Sequence, residues 1–198
     1  MKSKLKHVLF PCYTLYILLL LSKNRSMTVL YLVRHGETFD NERKVMQGIT
    51  PGKLNDKGIE QAKVVAGELK GEPIDNFVSS DLHRSIETCR IIAAPHHKEI
   101  VTTQLLRERD WGSFTGQYIP SLAHLNDPSK WPVDIETLDE LKKRAAMFLQ
   151  WVRESYPEQR ILAVGHGIIN KAIQSVYYKK PMNEIKVMAN AEIRILEL

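Results

Sequence analysis

Apolar positions along the chain fall into two rhythms, and their succession lays out strands and helices in turn. Thr28-Val29-Leu30-Tyr31-Leu32-Val33 is an unbroken apolar run rich in β-branched and aromatic residues, the pattern of a strand buried on both faces. Shorter runs at Asn76–Ser79, Ile100–Thr102 and Arg160–Val164 predict further strands, and the alternation in Ile193–Leu198 predicts an edge strand with one wet side. Between them the spacing becomes helical. Asn55 is a good N-cap, Asp56 stands in the first turn, and Ile59, Ala62, Val65, Ala66 and Leu69 share one face until Gly71. Ser80 with Asp81 predicts the cap of a second helix, which carries Arg84, Thr88, Ile91 and Ile92 and ends at Pro95. Thr137 with Glu140 forms a capping box ahead of an apolar stripe of Leu138, Leu141, Ala145, Phe148, Leu149 and Val152. A last helix spans about Ile168 to Tyr178, and residues 117–135, with three prolines and an exposed-looking Trp131, read as a rim or lid.

Candidate chemistry sits where strands stop. The first run ends at Arg34-His35-Gly36, and in an open α/β sheet ligands bind outside the carboxyl ends of the strands. A neutral imidazole beside a guanidinium suits attack on phosphorus, with the arginine holding phosphoryl oxygens, and Gly36 would leave its N–H free for an anion. Alone, Arg-His-Gly reads equally well as a loop with a half-buried histidine. The pattern returns downstream, however, where another apolar strand ends at Gly165-His166-Gly167. Asn41, Gln47 and Gly48, in the polar loop after Thr38, are placed to reach a phosphate or to serve as turn residues. Arg84 on a first helical turn reads, by position alone, as a solvated surface residue. Glu108 has two readings: a proton donor whose carboxyl is tucked against Trp111 or Phe114, or a surface ion pair with Arg107 or Arg109. His83 reads as surface and His96-His97 as a wet loop.

Five separated motifs resemble, in order, those of the histidine phosphatase superfamily, which contains the cofactor-dependent phosphoglycerate mutases. They are Arg34-His35-Gly36-Glu37-Thr38 with Asn41 and then Gln47-Gly48; Leu54 to Ala62; Ser79 to Thr88; Leu106 to Gly112 with Gly116; and Gly165-His166-Gly167. The resemblance spans residues 27–198. It implies an α/β fold, a three-layer α/β/α sandwich with a mostly parallel central sheet. It also implies that His35 attacks phosphorus to form a phosphohistidine, that Arg34, Arg84 and His166 hold the phosphoryl charge, and that Glu108 protonates the leaving alcohol, with Gly167 beside them and no metal or other cofactor. Only 57 residues separate Glu108 from His166, fewer than in the glycolytic mutases, which carry a covering insertion there. A shorter cover admits water, so phosphomonoester hydrolysis on a small phosphorylated metabolite is the expectation; mutase chemistry and an idle phospho-ligand binder are the alternatives.

Composition refines this picture at one place. The net charge of +5 arises from Lys2, Lys4, Lys6, Lys23 and Arg25 in an acid-free leader, residues 1–26; without them 23 basic face 23 acidic residues, no footprint for a nucleic acid. The leader has the basic start and apolar core of a secretory signal but no small-x-small cleavage site, and its apolar run is short for a membrane span. Met27, directly before the first strand, is read as the functional start, giving one domain over 27–198 and a cytoplasmic protein; a retained leader would instead mean export or membrane anchoring. Cys12 and Cys89 fit no metal spacing, and Cys89 has no partner in the body for a disulfide.

Overall fold

The computed structural model describes residues 27–123, 125 and 127–198, and the expectations for the leader lie outside them. Five strands form one sheet: β1 (Val29–Arg34), β2 (Asn76–Ser80), β3 (Ile100–Thr103), β4 (Arg160–Gly165) and β5 (Ile193–Glu197), in the order β3-β2-β4-β1-β5. All neighbours are parallel except β5, which runs antiparallel along β1 at one edge. The apolar run of β1 is buried on both faces as its composition requires. Leu30 and Leu32 face one way, with Ile161, Ala163 and residues of α4 (Leu138–Ser155) and α5 (Gly167–Tyr178). Tyr31 and Val33 face the other way, with Leu162, Val164 and residues of α2 (Asp56–Leu69) and α3 (His83–Ala93). The result is three layers, α/β/α, with an apolar core on each side of the sheet. A one-turn α1 (Phe39–Glu42) follows β1, capped reciprocally by Thr38 and Asn41. Among the described residues, no helix is long and apolar enough to cross a membrane.

Local chemistry explains most boundaries. Asn55 caps α2 by accepting the Gly58 N–H, and Thr137 with Glu140 forms the capping box of α4. In β5, Leu196 is buried while Ile195 faces solvent, the one-sided edge its alternation predicts. Two expectations fail. Ser80 and Asp81 do not cap α3, whose N-cap is Leu82 with no side-chain bond, because the Asp81 carboxylate is taken by the Arg107 guanidinium at 2.8 and 2.6 Å. His96 is not in a wet loop; its ring packs on Phe77, 5.1 Å between centroids, and burial depresses its pKa.

The start of α2 lies against the loop after β1 with no room for a side chain. A Cβ on Gly58 would stand 2.0 Å from the Glu37 carbonyl oxygen, and one on Gly36 2.4 Å from the Gly58 oxygen. Gly58→Ala is therefore expected to destabilise the protein by about 3 kcal/mol or more, despite alanine's better helix propensity, since backbone must move on both sides. Urea unfolding checks this, and an unchanged midpoint would contradict the close packing.

Candidate functional site

Strands β1 and β4 are parallel neighbours, yet the chain leaves β1 toward α2 on one face and leaves β4 toward α5 on the other. Such a divergence opens a crevice at the carboxyl ends. The register pairs Arg34 with Gly165 as the last rung, so the next residues, His35 and His166, emerge side by side; the His35 N–H donates to the Gly165 carbonyl at 3.0 Å. Their rings lie 5.0 Å apart. Both side chains are buried, at 2% and 0% exposure.

A cavity of about 520 Å³ opens over this point, and Arg34, His35, Asn41, Gln47, Gly48, Arg84, Glu108 and Gly167 all line it. His166 does not; it stands behind His35. The His35 Nδ1 lies 2.7 Å from the Gly36 carbonyl oxygen, which takes the ring proton there and leaves the Nε2 lone pair pointing away. Arg84 Nε donates toward that Nε2 at 3.4 Å. Burial, then the positive fields of Arg84 and Arg34, push the His35 pKa well down, so the ring is neutral. His166 is depressed in the same way, by burial first and then by Arg84, His35, Arg34 and Arg144.

Those shifts carry a stability consequence. In the native state both imidazoles resist protonation, whereas in the unfolded chain they take up protons near 6.5. Their contribution is full above that value and is lost as pH falls below it. The urea midpoint is expected to drop between pH 7 and pH 5, and to drop less in His166→Asn; equal slopes in the two proteins would contradict the neutral buried pair.

Arg84 is held more firmly than a surface reading allows. It is 1% exposed, and its guanidinium donates to the carbonyls of Gly48 at 2.9 Å, Thr50, and Pro51 at 3.3 Å. Burial lowers its pKa to about 10, so it stays charged at neutral pH. Gly48, at φ +51°, turns the backbone so that its carbonyl meets Arg84, and a Cβ on Gly52 would strike that side chain. Arg34 rests on the Met188 carbonyl at 2.7 Å, while its Nε is buried with no partner among the described residues. The same is true of Gln47 Oε1 and of both His166 ring nitrogens. Of these residues, Arg34 and Gln47 line the cavity.

Glu108 is not in the surface ion pair that its neighbours suggest. Its carboxylate accepts the N–H groups of Ile168 at 3.1 Å and Ile169 at 3.2 Å, in the first turn of α5, and that of Arg109 at 2.8 Å. It does not pair with Arg107, which binds Asp81, or with the Arg109 guanidinium, which donates to the Glu136 carbonyl at 2.8 Å between the rings of Trp111 and Trp131. Trp131, expected to be exposed, stands edge-on to Trp111 at 5.6 Å. Gly167 leaves a gap between the two charged groups: a Cβ there would sit 3.5 Å from Arg34 Cζ and 3.6 Å from Glu108 Oε2.

Gly36 departs from expectation as well, because its N–H is not free for an anion but donates to Thr88 Oγ1 at 3.1 Å. Several supporting residues gave no local signal. Asn190 donates to the His35 carbonyl at 3.1 Å and to Asn41 Oδ1 at 3.3 Å. Arg144, on α4, donates to the carbonyls of Leu105 at 3.1 Å, Arg107 at 2.6 Å and Glu108 at 3.3 Å while paired with Glu136, and so clamps the loop that carries Glu108. The one available hint was a cation flanking the apolar stripe of α4.

Residues 30–198 match the family model of the histidine phosphatase superfamily, branch 1. The phosphoglycerate mutase-like protein 4 of Arabidopsis thaliana is 34% identical over 184 residues, covering 85% of this chain and 79% of its own. Among solved structures, a phosphoserine phosphatase variant from Entamoeba histolytica in complex with phosphoserine aligns with a TM-score of 0.76 and 27% identity over 85% of this chain and 90% of that one. A mycobacterial glucosyl-3-phosphoglycerate phosphatase complexed with VO3 aligns with a TM-score of 0.78 and 22% identity, over 86% of this chain and 91% of that one, a likeness of fold. With a family model covering nearly every described residue and relatives named as phosphatases or mutase-like proteins, the chain belongs to branch 1 of the histidine phosphatase superfamily and is an enzyme of that family.

Proposed function

We propose that this enzyme hydrolyses a small phosphomonoester through a phosphohistidine at His35. The observation that carries the reading is the hydrogen bond between Nδ1 and the Gly36 carbonyl, which makes Nε2 the unprotonated nitrogen of a neutral ring beside two guanidinium groups. In the first step Nε2 attacks phosphorus and the ester P–O bond breaks; Glu108 gives its proton to the departing alcohol oxygen. Arg34 and Arg84 hold the charge that spreads over the equatorial oxygens, and His166, its ring 5.0 Å from that of His35, backs the nucleophile. In the second step water attacks phosphorus, Glu108 takes the water's proton, and the P–N bond breaks to release inorganic phosphate and restore neutral His35.

A mutase would pass the same phosphoryl group to a second alcohol rather than to water. The phosphoserine phosphatase among the relatives supports a small phosphorylated substrate and hydrolysis. A panel of phosphoesters, scored for released phosphate and for interconversion of 3- and 2-phosphoglycerate, tests the choice. Phosphate release is expected to exceed interconversion at least about tenfold. Faster interconversion would establish a mutase, and binding without turnover would establish a binder.

A further inference from the structure

The charged floor of the cavity accounts for a phosphoryl group, but the space above it has a different character. Val45, Met46, Ile119, Trp131, Met182 and Val187 line it. The volume, about 520 Å³, lies in the range of roughly 300–1,000 Å³ typical of sites that enclose a drug-sized ligand, far more than a phosphoryl group with a three-carbon acid requires. Besides Arg34 and Arg84, the lining among the described residues contains two cations. One is Arg109, committed to the Glu136 carbonyl between two tryptophans; the other is Lys171. An acid-bearing substrate would meet mostly hydrocarbon here.

We infer that the esterified alcohol of the substrate carries a bulky apolar body, aliphatic or aromatic, which the walls of the cleft cover while the phosphoryl group sits in the arginine cup. This deepens the phosphatase reading and rests on it for the word substrate; the apolar cleft itself is testable without turnover.

Calorimetric titration with unbranched alkylphosphonates from ethyl to octyl, which cannot be hydrolysed, measures the cleft directly. The Kd is expected to fall by about two- to fourfold per methylene until the cleft is full. Propylphosphonate is expected to bind at least as tightly as 3-phosphonopropanoate, its acid-bearing counterpart. In a Met182→Ser, Val187→Ser protein the gain per methylene shrinks; Val187 is already 37% exposed and Met182 half-buried, so the fold should survive. A Kd independent of chain length, an unchanged gain in the double variant, or a roughly tenfold preference for the acid would overturn the inference. A flat series in a protein that still hydrolyses p-nitrophenyl phosphate removes the inference and keeps the phosphatase; a steep series with no turnover does the reverse.

Discussion

Replacing His35 with alanine is expected to lower kcat by about 10⁴-fold or more, the scale seen when a nucleophile acting as part of a unit is removed. The expectation is large because no other nucleophile is seen there. Among the described residues the cavity lining contains no serine, cysteine or tyrosine, and its one lysine, Lys171, belongs to α5 rather than to the β1 end. Cys89 is buried in the core between α3 and the sheet, where burial raises its pKa and keeps it a thiol. Substrate binding should survive better than turnover, since Arg34 and Arg84 remain to hold the phosphoryl group. Steady-state kinetics on several phosphoesters check this, with circular dichroism to confirm that the variant folds. Retention of even a tenth of wild-type kcat would put the nucleophile elsewhere.

The second large effect belongs to Arg84, and it has two parts that substitution by lysine separates. Arg84→Ala removes a preorganised cation from the phosphoryl group, worth about 3 to 4 kcal/mol of barrier, or roughly 10²- to 10³-fold in kcat. It also strips a donor from the carbonyls of Gly48, Thr50 and Pro51, in the loop that carries Gln47. The backbone N–H of residue 84 still serves Pro51 at 3.1 Å, but the Gly48 and Thr50 acceptors lose their partner, at about 1 to 3 kcal/mol each, so a stability loss of roughly 2 to 4 kcal/mol is expected in the alanine variant. Lysine keeps the charge but cannot span three carbonyls and the ligand together, because its ammonium is a point rather than a fork. Arg84→Lys should therefore recover part of the stability and little of the rate. Rate loss without stability loss in the alanine variant would mean that the Gly48 and Thr50 carbonyls find other donors.

The fold was largely legible because its elements are locally determined. The unbroken run of β1 could only be a strand buried on both faces, and Asn55 and the pair Thr137 with Glu140 mark helix starts through bonds made within four residues. Three of the failures share one cause, which is competition from a distant partner. Asp81 looks like a cap, but Arg107 outbids the helix for it. Gly36 looks like an anion donor, but Thr88, 52 positions away, receives its N–H. Glu108 is held by the first turn of α5, 60 residues downstream, a contact that no local pattern announces. The candidate site was legible for a different reason: His35 and His166 each follow the last rung of neighbouring parallel strands, so an echo in the sequence becomes adjacency in space. Asn190, Arg144 and Glu136 support that site through backbone carbonyls and one another, and such bonds leave no signature in residue type.

The central claim is that the phosphoryl group passes through Nε2 of His35, and mapping the phosphoenzyme tests it most directly. Rapid quenching in base during turnover of a labelled phosphoester, followed by peptide mass spectrometry, should place one acid-labile phosphoryl group on His35, absent from His35→Ala. A phosphoryl group on any other residue, or turnover with no phosphoenzyme under conditions that trap it, would contradict the account.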